Sequence, residues 1–289
     1  MMSVPVVVWL VIFSYIPLWG WVIAFFNYKP GVPWNELDFV GFKYLVQLFN
    51  DPRFYNALLN TISMSFLNVI FACTLCPIIF AIFINEVRNI QFKRTVQTIS
   101  YLPHFVSWVV VAGMVLNLLS VESGIINQIL LKIKIISEPV NFIAKPDYFY
   151  IIVTVATVWK ELGWNAIIYI AAMSGIYAEL YEAAAADGAG RLRRIWHITL
   201  PGIRSTIIVL LIMNIGGLVG GGFEKQFLLM NPLNMNRAEV LDLYSLKYGL
   251  QQFRFSFGTS VGIFSSVVSL ILVITANKIA KKWSGEGVL

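Results

Sequence analysis

Six long apolar runs separated by polar segments organise this chain, over residues 4–28, 57–84, 100–119, 149–173, 203–222 and 258–279. A helix needs roughly 20 mainly apolar residues to cross bilayer hydrocarbon about 30 Å thick, at 1.5 Å of rise per residue. All six runs meet that length. Helices are predicted rather than an open sheet, whose edge would leave backbone polar groups unpaired in lipid. The expected fold is an all-α integral membrane protein, a single domain over 1–289 with six transmembrane helices. The first run lacks the basic start of a secretory signal and exceeds a signal's apolar core, so it is read as a retained span.

Composition agrees with this pattern. Of 289 residues, 58% are hydrophobic and only 12% charged, with mean hydropathy +0.75. A soluble domain carries about 25% charged residues. Trp and Tyr gather near the ends of the apolar runs, where a ring with one polar atom suits the membrane interface.

Charge sets the orientation. The loops 86–99 and 174–202 and the tail 280–289 are short and dense in Arg and Lys, with Arg88, Lys93, Arg94, Arg191, Arg193, Arg194, Lys281 and Lys282. The opposite loops, 29–56, 120–148 and 223–257, are longer taken together and carry more acids, among them Asp51, Glu122, Glu239 and Asp242. The denser basic set is expected inside, which places both termini in the cytoplasm. The net charge of +6 is accounted for by this topology and gives no reason to expect nucleic acid as a partner.

Cys73 and Cys76 form a C-x-x-C inside the second run. Structural zinc needs four ligands and a redox pair needs accessible thiolates. No further ligands are nearby, so these are read as two small buried residues, and no metal site is expected.

One polar stretch stands between the fourth and fifth runs: "ELYEAAAADGAGRLRRIWHITLPG", Glu179 to Gly202. Helix formers run from Tyr177 to Asp187, with four alanines giving a narrow surface. Gly188 and Gly190 interrupt, as glycine does where a helix must end in left-handed geometry, and Asp187 is placed to help cap the turn. A basic second helix follows, and Pro201 marks the entry to the fifth run. Leu180, Tyr181, Leu192 and Ile195 are candidate apolar anchors for a partner groove. A solvated loop fits the same composition.

The spacing separates these readings. Glu182-Ala183-Ala184, three residues, Gly188, nine residues, Ile198, one residue and Leu200-Pro201 match EAA-x3-G-x9-I-x-LP at every position. This resembles the signature loop of ABC importer permeases, of the maltose-type carbohydrate-uptake branch. Asn231 to Ser266 is similar to the subgroup importing complex or uronate-containing oligosaccharides. One departure is that carbohydrate permeases often carry Pro shortly before the signature Glu, where this chain reads Gly175-Ile176-Tyr177-Ala178.

The resemblance implies a type I ABC importer transmembrane domain in a bacterial cytoplasmic membrane. The loop over about 177–201 would be the coupling helix docked on a separate ATPase. Tyr181, Glu182, Ala183, Ala184, Asp187 and Gly188 would form the docking turn, and Ile198, Leu200 and Pro201 its re-entry into the bundle. It further implies a second permease subunit, two ATP-binding subunits, an extracytoplasmic solute-binding protein and a sugar substrate. No cofactor is expected in this chain, with ATP and magnesium held by the ATPases. The sequence contains no phosphate-cradling G-x-x-x-x-G-K-[ST] loop, and Gly217 to Gly222 read as close packing.

Polar groups inside spans are costly in lipid and mark a translocation path. Trp159, Lys160, Glu161, Trp164 and Asn165 in "TVWKELGWN" form the densest group, joined by Asn117 and Asn214. Neutralisation by neighbouring helices, snorkelling of Lys160, or an interhelical hydrogen bond from Asn214 accounts for the same residues structurally. His104 and His197 lack metal-ligand spacing, and no catalytic residue is expected. A permease for amino acids, peptides or phosphate is the nearest alternative, since these use related loops. A membrane enzyme lacks its acid, base and nucleophile constellation here, and a secondary transporter lacks the internal repeat many of them show.

Overall fold

The computed structural model describes residues 3–220 and 222–284. Gly221 of the glycine-rich stretch and residues 285–289 of the basic tail lie outside them. The described residues are mainly helical, with one isolated bridge between Phe26 and Phe39 and no named strand. Four helices are each long and apolar enough to cross a membrane: α1 (Val4–Phe25), α2 (Pro52–Glu86), α5 (Pro146–Ser174) and α11 (Phe255–Ser284). Two bent pairs bring the number to six if each crosses as a unit. In the first, α3 (Ile90–Phe105) meets α4 (Trp108–Leu118) at 99°; in the second, α7 (Arg191–Gly202) meets α8 (Arg204–Gly216) at 57°. Between α5 and α7 lies α6 (Ala178–Ala186), and the shorter helices before α11 include α9 (Phe223–Leu229) and α10 (Leu241–Ser245, continued over Leu246–Gln251).

Local chemistry sets the helix ends. Asp51 caps α2 by accepting from the Arg53 N–H at 2.9 Å, with Pro52 in the first turn, where its missing N–H costs nothing. The other carboxylate oxygen of Asp51 accepts from Tyr244 at 2.7 Å, tying that cap to α10. Ser107 caps α4, so the apolar run predicted as one span over 100–119 is divided at Val106–Ser107.

Within α2 the helix widens to π pitch over Asn68–Leu75 and then meets Pro77. A proline here withholds an N–H from the carbonyls one turn back. Two side chains of α5 supply the missing donors: Asn165 Nδ2 to Ala72 O at 2.8 Å, and the Tyr169 hydroxyl to Cys73 O at 3.0 Å. Burial of Ile78, Ala81, Ala166, Tyr169 and Met173 continues the α2–α5 seam toward Ile203. Gly163 completes the packing on the α3 side, where any Cβ would lie 2.1 Å from Ser100 O. A second core of Leu48, Phe54, Leu241, Tyr244 and Phe257 joins α2, α10 and α11. By contrast, no residue from Val4 to Leu18 of α1 is buried.

Candidate functional site

The polar stretch between α5 and α8 folds as a helical elbow. Helix α6 ends at Asp187, and the backbone turns left-handed at Gly188, φ +73°. Ala189 N–H donates to Ala184 O at 2.8 Å, and Gly188 N–H to Ala185 O at 3.1 Å. This pair of bonds is the Schellman motif, which satisfies the last carbonyls of a helix and requires a left-handed residue after the cap. Gly188 is therefore fixed by backbone geometry; space is not the constraint, because nothing lies within 4 Å of where its Cβ would stand.

The elbow is tied to the bundle at three places. The Tyr181 hydroxyl lies 3.0 Å from Oγ1 of buried Thr199. Arg191 Nε is 4.0 Å from Glu86 at the end of α2. Gly202 sits under Ile176, whose Cδ1 would be 2.7 Å from an added Cβ. Leu200 packs against the α2–α5 core, Ile198 is half-buried, and Pro201 lies on an outer groove beside Trp196. Glu182, Ala183 and Asp187 are exposed, Ala184 partly so. Tyr177, Leu180, Leu192 and Trp196 add exposed apolar surface, whereas Tyr181 and Ile195 turn partly inward.

The second polar constellation is inside the bundle. Lys160 is 5% exposed; its Nζ donates to His104 O and lies 3.2 Å from Glu161 Oε1. The other Glu161 oxygen lies 2.7 Å from His104 Nδ1. The His104 ring stacks on Trp164, with centroids 4.2 Å apart and planes within 2°. Lys160, Glu161, His104 and Trp164 thus form one connected group. Asn165 is beside it but is engaged with the α2 backbone.

Three other residues singled out in the sequence stand apart from that group. Trp159 faces outward in an apolar groove with Ile151 and Val155, roughly 100° around α5 from Lys160. Asn117 is exposed near the end of α4. Asn214 donates to Leu210 O at 2.7 Å and lines a separate cavity of about 230 Å³ with Ser65 and Asn68.

Residues without a sequence signal of their own, both partly exposed, complete the group. Trp108 lies under Lys160, with Nζ 5.9 Å from the ring centroid. Lys225 approaches the same ring at 5.6 Å and donates to Thr157 Oγ1 at 3.4 Å. The first residues of the segment 223–257 pack back against α4 and α5.

Comparison with known proteins places both features in context. The family described as "Binding-protein-dependent transport system inner membrane component" matches residues 73–284, a range that contains the elbow and the Lys160 group. Protein LplB of Bacillus subtilis (strain 168) is 42% identical over 287 residues, covering 99% of this chain and 89% of that protein. The polygalacturonan/rhamnogalacturonan transport system permease protein YteP of the same organism is 43% identical over 288 residues, covering 100% and 89%. A bacterial alginate ABC transporter, solved in complex with alginate pentasaccharide-bound periplasmic protein, contains a chain that superposes with a TM-score of 0.90 at 38% identity. That match covers 99% of this chain and 95% of the other.

Proposed function

The chain belongs to the family of binding-protein-dependent transport system inner membrane components, and from that premise we propose that it is a transmembrane permease subunit of an ATP-driven importer of acidic oligosaccharides. The observation that carries this reading is the elbow at Gly188, a stiff, exposed, alanine-faced turn anchored to the α2–α5 core. Relatives that handle polygalacturonan, rhamnogalacturonan and alginate support uronate-containing chains as the cargo.

In this reading the chain supplies a path and a lever, and hydrolysis belongs to partners. Two ATP-binding subunits would close around nucleotide, and one would press on the surface formed by Glu182, Ala183, Ala184 and the neighbouring Leu180 and Leu192. Coupling of this kind is a free-energy link between distant sites through an element with two positions. The elbow suits the task because its turn is fixed by backbone hydrogen bonds and its far end joins α8 through buried Ile203. A second permease subunit would complete the path, and an external solute-binding protein would deliver the sugar. The membrane is the bacterial cytoplasmic membrane, crossed several times. The Lys160–Glu161–His104–Trp164 group is the part of the path within this chain.

Uptake tests the reading. Cells lacking the gene are compared with complemented cells for import of labelled oligogalacturonides, maltose and amino acids. Restoration of oligogalacturonide uptake alone is expected. Restoration of amino-acid uptake alone would replace the substrate class while retaining the permease role.

A further inference from the structure

We propose that Lys225 recognises carboxylate groups of the passing sugar and thereby sets the permease's preference for acidic over neutral chains; this rests on the oligosaccharide-import reading above. Charge balance in the Lys160–Glu161–His104–Trp108 group is the starting observation. Two ammonium groups, Lys160 and Lys225, approach a single indole, Trp108, at 5.9 and 5.6 Å. The one carboxylate in the group, Glu161, has one oxygen facing Lys160 and the other facing His104. Among the described residues no carboxylate lies within ion-pair distance of Lys225. Its contacts are neutral, a long hydrogen bond to the Thr157 hydroxyl and the Trp108 face.

An ammonium held among transmembrane helices is expensive unless it is paired, and such groups mark ion and substrate routes. Cation–π attraction and one hydroxyl recover only part of that cost, with about 0.5–2 kcal/mol from the ring. An anion beside Lys225 supplies the missing charge partner, through charge-assisted hydrogen bonds that replace the long one to Thr157. The adjoining indole offers a flat apolar face of the kind a pyranose ring covers. A carboxylate on a sugar ring presents both features together. A methyl-esterified or neutral ring presents only the second.

The test uses the complete transporter, with its partner permease, ATP-binding subunits and solute-binding protein, in proteoliposomes. ATP-driven uptake of trigalacturonate is compared with that of its fully methyl-esterified counterpart. Because the same binding protein serves every variant, a change in the acid-to-ester uptake ratio belongs to the permease. Lys225→Met and Lys225→Gln are expected to lower that ratio at least tenfold, and Lys225→Arg to hold it within about threefold of the original. The Gln variant retains a donor toward Thr157 and covers the case in which Met disturbs assembly. An unchanged ratio in the neutral variants overturns the proposal, and so does a proportionate loss of both substrates or failure of both neutral variants to assemble, each of which marks Lys225 as structural. An unmodified transporter that carries the ester and not the acid overturns the acidic-sugar reading itself. Uptake of the acid with an unaltered ratio in the variants overturns only the role of Lys225.

Discussion

Replacing Gly188 with valine isolates the elbow from the rest of the molecule. The position has φ +73° and open space around its missing Cβ, so an added Cβ meets no clash and its cost is conformational. Left-handed geometry costs an L-residue roughly 1–2 kcal/mol, most severely when the side chain is β-branched. That penalty lowers the population of the formed turn by about 5- to 30-fold. If the turn opens, the two closing hydrogen bonds are also lost, each worth about 1 kcal/mol net. Gly188→Asn tolerates the same geometry and should stay close to the original, with Gly188→Ala intermediate. The assay is co-purification of the ATP-binding subunits with tagged permease, alongside ATP-driven uptake and the amount of permease in the membrane. The expected order of recruitment and uptake is Gly, Asn, Ala, Val, with membrane levels constant. Gly163→Ala is the contrasting control, because its Cβ would strike the Ser100 backbone and should reduce folded protein itself. Full recruitment and uptake by Gly188→Val would refute the argument that a rigid left-handed turn is what the ATPase grips.

Three further outcomes follow from the geometry. Tyr181→Phe removes the link to Thr199 and should loosen the elbow by about 1 kcal/mol; Thr199→Val should do the same, and the double variant should cost no more than either alone in thermal unfolding. Glu161→Gln leaves Lys160 without its carboxylate; with 22% of the Glu161 side chain exposed, the destabilisation should fall below the about 3–5 kcal/mol of a fully buried broken pair. Adding Lys160→Met should recover much of it, as read by the melting temperature of the detergent-solubilised complex. Burial raises the carboxyl pKa of Asp242 on α10, so the folded chain holds that proton to higher pH than the unfolded one. Its contribution is then present in acid and lost as pH climbs through the raised value. Asp242→Asn should flatten that decline in a pH series of melting temperatures, and a steeper decline would contradict it.

The apolar runs announced where helices lie because lipid-scale hydrophobicity is a local property. Bends were harder to place. Pro103 and Ser107 both mark the break between α3 and α4, but a hydropathy window averages over them and reports one span. The elbow was legible because its geometry is local: a left-handed residue after an alanine helix demands glycine, whatever surrounds it. Helical periodicity alone separates Trp159 from Lys160, since Trp159 shares a face with Ile151 and Val155, and Lys160 with Val153, Ala156 and Thr157. The meeting of Lys225 with Thr157 spans 68 positions. No local pattern encodes it, because it depends on how α9 folds back after the glycines.

The two carbonyls stranded above Pro77 and claimed by Asn165 and Tyr169 carry a mechanical consequence. A proline in a long helix is usually a place to flex, yet here the weak point is riveted to its neighbour. Helices α2 and α5 are thereby joined into one stiff plate, with α3 held close by the bare backbone at Gly163. Any swing transmitted from the elbow must then pivot at the edges of that plate, at Ile203 and at Val106–Ser107, where the chain already turns corners.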